Sequence, residues 1–371
     1  MLCDQGSGSF EAQSSTGVKV SVGAQKAELL ATRTCQATLS WGKQKLIIAH
    51  DISQLDLDLF GADIGAGGPV AAFGISESNA ACCMTYQIYS LKEPPHLVRT
   101  ISGGGFFSAA DTDLDGRVEI WTEDAAAVNG FEGLVPSEVE FVPTYVLRFE
   151  QGRLLDVSSQ FRAFFDDVIK KVRSEIKPEG LQSFKLTDGK LQAKVGLTPE
   201  QLGQLRQVRA TKIQILEIVW AYLYSGREQE AWQSLKEMWP GEDCDRIRGE
   251  IAKAQTRGLH AQLDGVSSGE MLRRMRKAPI YAQSEVTPPK AIVMRIYPPA
   301  EARGMALGTG EVHVELLIDA AGKVRSAKPA GDTKKLEEWI RVSASQWKFI
   351  PASKLGQAVA SRMMTSVWSL R

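Results

Sequence analysis

The stretch Asp111-Thr112-Asp113-Leu114-Asp115-Gly116-Arg117-Val118-Glu119 places four carboxylates at loop positions one, three, five and nine, with a glycine at six. Carboxylate oxygens are hard donors. A loop that aims several of them at one point suits an oxygen-seeking cation, calcium first. Gly116 supplies the sharp turn such a loop needs. The loop is not an EF-hand, which carries Glu at position twelve, where Thr122 stands here. Its flank, with Val118, Ile120 and Trp121, reads as a strand. The competing reading is an acidic surface turn that binds nothing.

Other chemistry finds little support. The four histidines, His50, His96, His260 and His313, stand far apart in sequence. No G-x-S-x-G elbow, HExxH or P-loop occurs. Ser102-Gly103-Gly104-Gly105 leads into a strand rather than a helix, so it is no phosphate cradle. The five cysteines, Cys3, Cys35, Cys82, Cys83 and Cys244, form no CxxC pair, which argues against zinc. A bridge from Cys35 to Cys82 or Cys83 is open in an exported protein, and buried thiols are the alternative. The expectation is a protein that is not an enzyme.

The elements that must position the acidic loop are strands. Val18, Val20 and Val22 alternate with polar or small residues. Leu46-Ile47-Ile48-Ala49-His50 reads as a buried strand, and Met84–Tyr89 and Val142–Phe149 as further strands. Near Leu154 the period changes. Asp156-Val157-Ser158-Ser159 can cap a helix carrying Phe161, Phe164, Phe165, Val168 and Val172. Residues 180–194 read as a hairpin or loop turning at Asp188-Gly189. Thr198-Pro199-Glu200-Gln201 starts a helix, and Ile213, Leu216, Trp220 and Leu223 form a helical stripe that ends at Gly226. Two more helices follow. A linker with a short basic helix, Met271–Lys277, leads to alternating Val312, Val314, Leu316 and Ile318, a turn at Asp319–Gly322, a helix through Leu336, Trp339 and Ile340, and a last strand.

Three stretches resemble known families. Gly103-Gly104-Gly105-Phe106-Phe107, the acidic loop and Val118-Glu119-Ile120 resemble the calcium loop of FG-GAP repeats. That resemblance implies Asp111, Asp113, Asp115 and Glu119 as ligands, with the Arg117 carbonyl as a fifth; Glu119 replaces the usual Asp. One such loop is present, so a full propeller is not expected. The helical hairpin around Tyr224-x-Gly226 and Ala231 resembles one tetratricopeptide unit, and a plain helical bundle fits equally well. Tyr297-Pro298, Gly310-x-Val312-x-Val314, Asp319-x-x-Gly322-x-Val324, Trp347-x-Phe349-x-Pro351 and Gly356-x-x-Val359 resemble the TonB C-terminal domain family. This implies a ββαβ module that binds a partner peptide by strand addition, an outer-membrane receptor or another envelope protein in relatives. The last strand, Ser361–Trp368, is the expected docking edge, while Trp347 and Phe349 are expected in the core. A membrane helix and a Pro-rich spacer are missing, so binding or scaffolding is favoured over force transduction.

The fold expected is thus multidomain α+β. Residues 1–16 form a disordered start, 17–152 an all-β domain, 153–263 a helical connector, 264–290 a linker and 291–371 a TonB-like domain. The 371 residues carry zero formal net charge, but acids outnumber bases by 9 before Glu150 and bases outnumber acids by 6 after Pro289. Intramolecular docking or two independently solvated surfaces would both fit this split. No run of about 18 apolar residues suits a membrane span, and no basic region followed by an apolar run marks a signal peptide. Cys3 in a shortened lipid-attachment signal is a weaker reading. No nucleic-acid motif is present. The leading expectation is a calcium-binding, periplasmic or envelope-associated interaction protein. A hydrolase or glycan-binding enzyme with a cleft near the metal loop and a cytosolic scaffold are the alternatives.

Overall fold

The structure, a computed structural model, describes residues 9–26, 33–76, 82–191, 198–267, 277–294, 311–330 and 334–368. It is mixed α+β. The described residues from 9 to 156 include three successive antiparallel meanders. They comprise β1 (Ser9–Gln13), β2 (Lys19–Lys26), β3 (Arg33–Trp41) and β4 (Gln44–Ile52); β5 (Gln54–Asp63), β6 (Pro69–Ser76), β7 (Met84–Ser90) and β8 (His96–Gly104); and β9 (Phe107–Ala110), β10 (Glu119–Glu123), β11 (Thr144–Glu150) and β12 (Arg153–Asp156).

The meanders pack face to face. In β6, Ala71, Phe73 and Ile75 join Val18, Val20, Val22, Ala37 and Leu39 of the first meander in one core. The alternate residues Val70 and Ala72 join Tyr86, Ile88, Phe107, Ala109, Ile120 and Leu147 in another. That two-sided burial explains why β6 is an unbroken apolar run. A bulge between Leu57 and Leu59 sends these two leucines to different cores.

Short helix α1 (Ala125–Val128) follows β10, and α2 (Arg162–Glu175) and α3 (Pro178–Lys185) follow β12. Then come α4 (Pro199–Tyr224), α5 (Glu228–Met238) and α6 (Cys244–Arg257). A capping box starts α4: Thr198 Oγ1 accepts from the Gln201 N–H, and Gln201 Oε1 accepts from the Thr198 N–H. Buried Glu217 braces these helices to the sheets by accepting the Glu140 and Phe141 N–H groups at 2.7 and 3.0 Å. No helix among the described residues is long and apolar enough to cross a membrane.

The remaining strands are β13 (Gly265–Val266), β14 (Tyr281–Ala282), β15 (Lys290–Val293), β16 (Glu311–Ile318), β17 (Val324–Pro329), β18 (Lys348–Ile350), β19 (Ala352–Lys354), β20 (Gln357–Val359) and β21 (Ser361–Trp368), with α7 (Lys334–Ala344) after β17. A sheet in the order β14-β21-β16-β17 carries a core of Val314, Leu316, Ile318, Ile340, Trp347, Phe349 and Val367. Trp347 and Phe349 are buried, as expected of aromatic residues in this module. Gly322, at φ +81°, turns the β16–β17 hairpin; a Cβ there would lie 1.9 Å from the Phe349 carbonyl oxygen.

This C-terminal unit docks on β5. Lys323 Nζ pairs with Asp58 Oδ1, and Lys348 Nζ pairs with Asp56 Oδ2 and lies 3.7 Å from Asp58. Asp58 Oδ2 accepts from the Tyr86 hydroxyl at 2.6 Å and the Ala109 N–H at 2.8 Å. The acidic front and basic tail of the chain therefore meet inside the fold. Desolvating such pairs is costly unless further hydrogen bonds support them, and buried Asp58 has two.

Several expectations change. Residues 9–13 belong to strand β1 rather than a disordered start, because Ala12 is buried against the first meander. Ile47 is 56% exposed, because it pairs with Thr38 on the face opposite the core residues Ala37 and Leu39. Residues 178–185 are helical, with Pro178 at the first turn and Phe184 buried, so the hairpin expected from Gly180 is absent there. The described ends of the 264–290 stretch are held in sheets: β13 pairs with β12 and β14 with β21. The basic segment to Arg276 and Tyr297–Ala300 lie outside the described residues. Cys82 and Cys83 form a disulfide, Cys35 is disulfide-bonded too, and Cys244 is free.

Replacing Lys323 by Met leaves the buried Asp58 carboxylate with Lys348, at 3.7 Å, as its remaining cation among the described residues, beside the Tyr86 hydroxyl and Ala109 amide. The expected loss is about 3 kcal/mol in urea unfolding. The double variant Asp58→Asn, Lys323→Met is expected to recover most of it. Equal losses in the single and double variants would show that the pair is not what holds the two regions together.

Candidate metal centre

The acidic loop spans the gap between β9 and β10. Leu114 and Gly116 both take left-handed backbone angles, φ 60° and 86°, which fold the loop on itself. Its own amides hold the carboxylates. Asp111 accepts the Asp115 and Gly116 N–H groups, each at 3.0 Å. Asp113 Oδ1 accepts the Asp115 N–H at 3.2 Å, and Asp115 Oδ1 accepts the Arg117 N–H at 2.8 Å. The Arg117 guanidinium holds Asp115 Oδ2, with Nε at 2.7 Å.

One ligand oxygen from each of Asp111, Asp113 and Asp115 lies within 4.8 Å of the others. Asp111 is fully buried. Asp113 Oδ2 is buried without a hydrogen-bond partner. A buried carboxylate oxygen left unpaired is costly, and a cation is the simplest way to satisfy it. The donor set is all oxygen and anionic, which fits calcium.

Glu119 stands apart from this group. Its Oε2 accepts the Thr112 N–H at 2.9 Å, and Oε1 takes Arg148 Nε at 3.0 Å and Nη2 at 2.6 Å. Sheet register explains the arrangement, because Glu119 sits directly across from Arg148 on β11. Both side chains are buried, and Gln160 takes Arg148 Nη1 at 3.1 Å. Position nine thus braces the loop from beneath. Arg117 serves the site visibly through its side chain on Asp115.

The loop also touches the C-terminal unit, through residues that the sequence motif does not mark. Asp319 Oδ2 accepts the Asp111 N–H at 3.1 Å, while its Oδ1 accepts the Ala321 and Lys323 N–H groups at 2.9 Å each. Arg325 Nη2 donates to the Thr112 carbonyl at 2.9 Å, and the Ala278 N–H donates to the Leu114 carbonyl at 2.8 Å. Asp319 was legible only as a turn residue; nothing in local spacing points across the 208 residues to Asp111.

Burial, with the Asp319 carboxylate next, pushes Asp111 up to about 7. Burial pushes Asp319 up to about 6 and raises Asp113, to which Asp115 adds. Negative charge is therefore concentrated and undercompensated here. Compared with known proteins, the chain matches no family model and no curated protein.

Because Asp111 and Asp319 titrate above the ordinary carboxylate range, these two sites hold more protons in the folded chain than in the unfolded chain from roughly pH 4 upward. The excess lasts to about 7, where Asp111 ionises. In chelator, stability is expected to fall as pH rises through that window and then level off. Melting curves of the metal-free chain between acid and neutral pH check this. Asp111→Asn is expected to flatten the slope, and an unchanged slope would assign the effect elsewhere.

Proposed function

We propose that the protein is a non-enzymatic, calcium-binding interaction protein of a bacterial envelope. In this reading calcium stiffens the β meanders at their join with a TonB-like module, and the module takes a partner by β-strand addition. The calcium part rests on the three converging carboxylates and the orphaned oxygen of Asp113. A calcium ion bound there would neutralise these carboxylates and cross-link the loop. Asp111, Asp113 and Asp115 would hold it. The loop's backbone is bonded to Asp319, Arg325 and Ala278, so ordering the loop would also order the C-terminal unit.

The observation that carries the partner reading is the outer border of β21. Among the described residues, strand pairing on that side is limited to Ser361 and Arg362, opposite Tyr281 and Ala282. The Met364 N–H points outward, toward Gln283 Oε1 at 3.4 Å. An unpaired row of backbone groups is a template for an extended segment. The other side of β21 is fully paired with β16 over eight positions, so the strand is rigidly held. Paired cysteines at Cys82, Cys83 and Cys35 support an oxidising compartment such as the periplasm.

Calcium is expected to raise the melting temperature and chelator to lower it, with Asp113→Ala removing the difference. Since binding needs Asp111 ionised, calcium affinity should strengthen between pH 6 and pH 8, an expectation on the order of tenfold. Calorimetry at several pH values reads both. A silent melt with and without calcium would end the metal reading. For the partner, hydrogen exchange on a complex captured from envelope extract is expected to protect residues 363–368. Protection confined to other strands would end the strand-addition reading.

A further inference from the structure

The sheet face that braces the metal loop continues into a groove that neither calcium nor strand addition uses. On this face β10 presents Glu119, Trp121 and Glu123, opposite Arg148, Val146 and Thr144 of β11. Between the sheet and α2 lies a groove of about 320 Å3, within the size range of small-molecule sites. Phe106, Trp121, Phe141 and Phe164 line it. Phe106 and Phe164 are 37% and 38% exposed, which leaves aromatic surface facing the groove's solvent side.

Three charged side chains face this space: Glu123, Glu140 and Lys171. Lys171 and Glu140 pair with each other at the rim. Glu123 has no hydrogen bond or ion pair to its carboxylate among the described residues, and burial pushes its carboxyl up. The glycine run makes room for it. A Cβ on Gly105 would fall 2.3 Å from Glu123 Oε2. Gly105, from the stretch rejected as a phosphate cradle, thus leaves room for an anionic floor in an aromatic slot.

We propose that this groove binds an organic ammonium ion, with its alkyl groups against Phe106, Trp121 and Phe164 and its charge facing Glu123. Aromatic faces attract weakly hydrated cations, and a nearby carboxylate adds direct charge complementarity. A metal ion fits this slot badly, because Glu123 is its one uncommitted carboxylate and hard cations want many oxygens. A neutral apolar ligand would bury Glu123 without compensation. The slot is already organised. The Trp121 indole N–H donates to Thr112 Oγ1 at 2.8 Å, and its ring meets Phe161 and Phe164 edge-on at 5.2 and 5.1 Å. Thr112 belongs to the metal loop, so the loop that gathers the carboxylates also fixes the largest wall of the groove.

The test is calorimetric titration of the full chain, in calcium, with choline and with its uncharged isostere 3,3-dimethyl-1-butanol. Choline is expected to bind saturably at one site and the isostere roughly tenfold more weakly. Glu123→Gln is expected to weaken choline by a similar factor and to leave the isostere unchanged. Phe106→Leu, at an exposed position that folding tolerates, is expected to weaken choline as well, and it stands in if the Glu123 variant unfolds. No saturable choline binding, equal binding of the isostere, or choline affinity unmoved by both variants would overturn the proposal. The strand-addition reading does not enter this outcome, since β21 lies in a different sheet.

Discussion

Carboxylates buried where two regions of the chain meet set the terms for the rest of this structure. Asp58 lies in β5, satisfied by Tyr86, the Ala109 amide and Lys323. Asp319 lies in the hairpin turn after β16, satisfied by two amides of its own turn and by the Asp111 amide of the metal loop. Each carboxylate draws partners from both regions. Removing water from such groups is tolerable only when every partner is in place, so the meanders and the C-terminal unit fix one another's position.

This constraint accounts for the placement of the acidic loop. A loop of three aspartates repels itself, and its amides relieve only part of that repulsion. Here the loop's carbonyls are tied down by Arg325 and Ala278 and its floor by the Glu119–Arg148 pair. The backbone is therefore held while the carboxylates remain crowded, and burial makes those of Asp111 and Asp113 harder to ionise. A crowded, prearranged set of oxygens favours a cation, because the cost of bringing them together has been met by the surrounding fold. The same bracing reaches Trp121 through Thr112, so one rigid patch serves both the metal loop and the aromatic groove.

Much of the local structure was legible in the residues. Alternation in Val18, Val20 and Val22 and in Val312, Val314, Leu316 and Ile318 marks strands that bury one face. The Thr198–Gln201 box marks the start of α4, and the spaced aspartates mark a loop whose carboxylates converge. Misreadings fell where a local cue competed with packing. The Asp188-Gly189 turn is a local hairpin cue, whereas Pro178 at the first turn and buried Phe184 define a helix just before it. Ile47 reads as core by composition, but its register with Thr38 turns it to the outer face of the sheet.

By itself, then, the sequence determined periodicity, caps, turns and the three aspartates that gather on one loop. Each depends on neighbours a few residues apart, whose geometry the backbone dictates. Tertiary structure alone decided that Glu119 serves Arg148, that Asp319 meets Asp111, that Lys323 reaches Asp58 and that Glu123, among the described residues, has no paired cation in an aromatic groove. Those outcomes depend on which faces meet and which charges lose their water. No spacing along the chain encodes that.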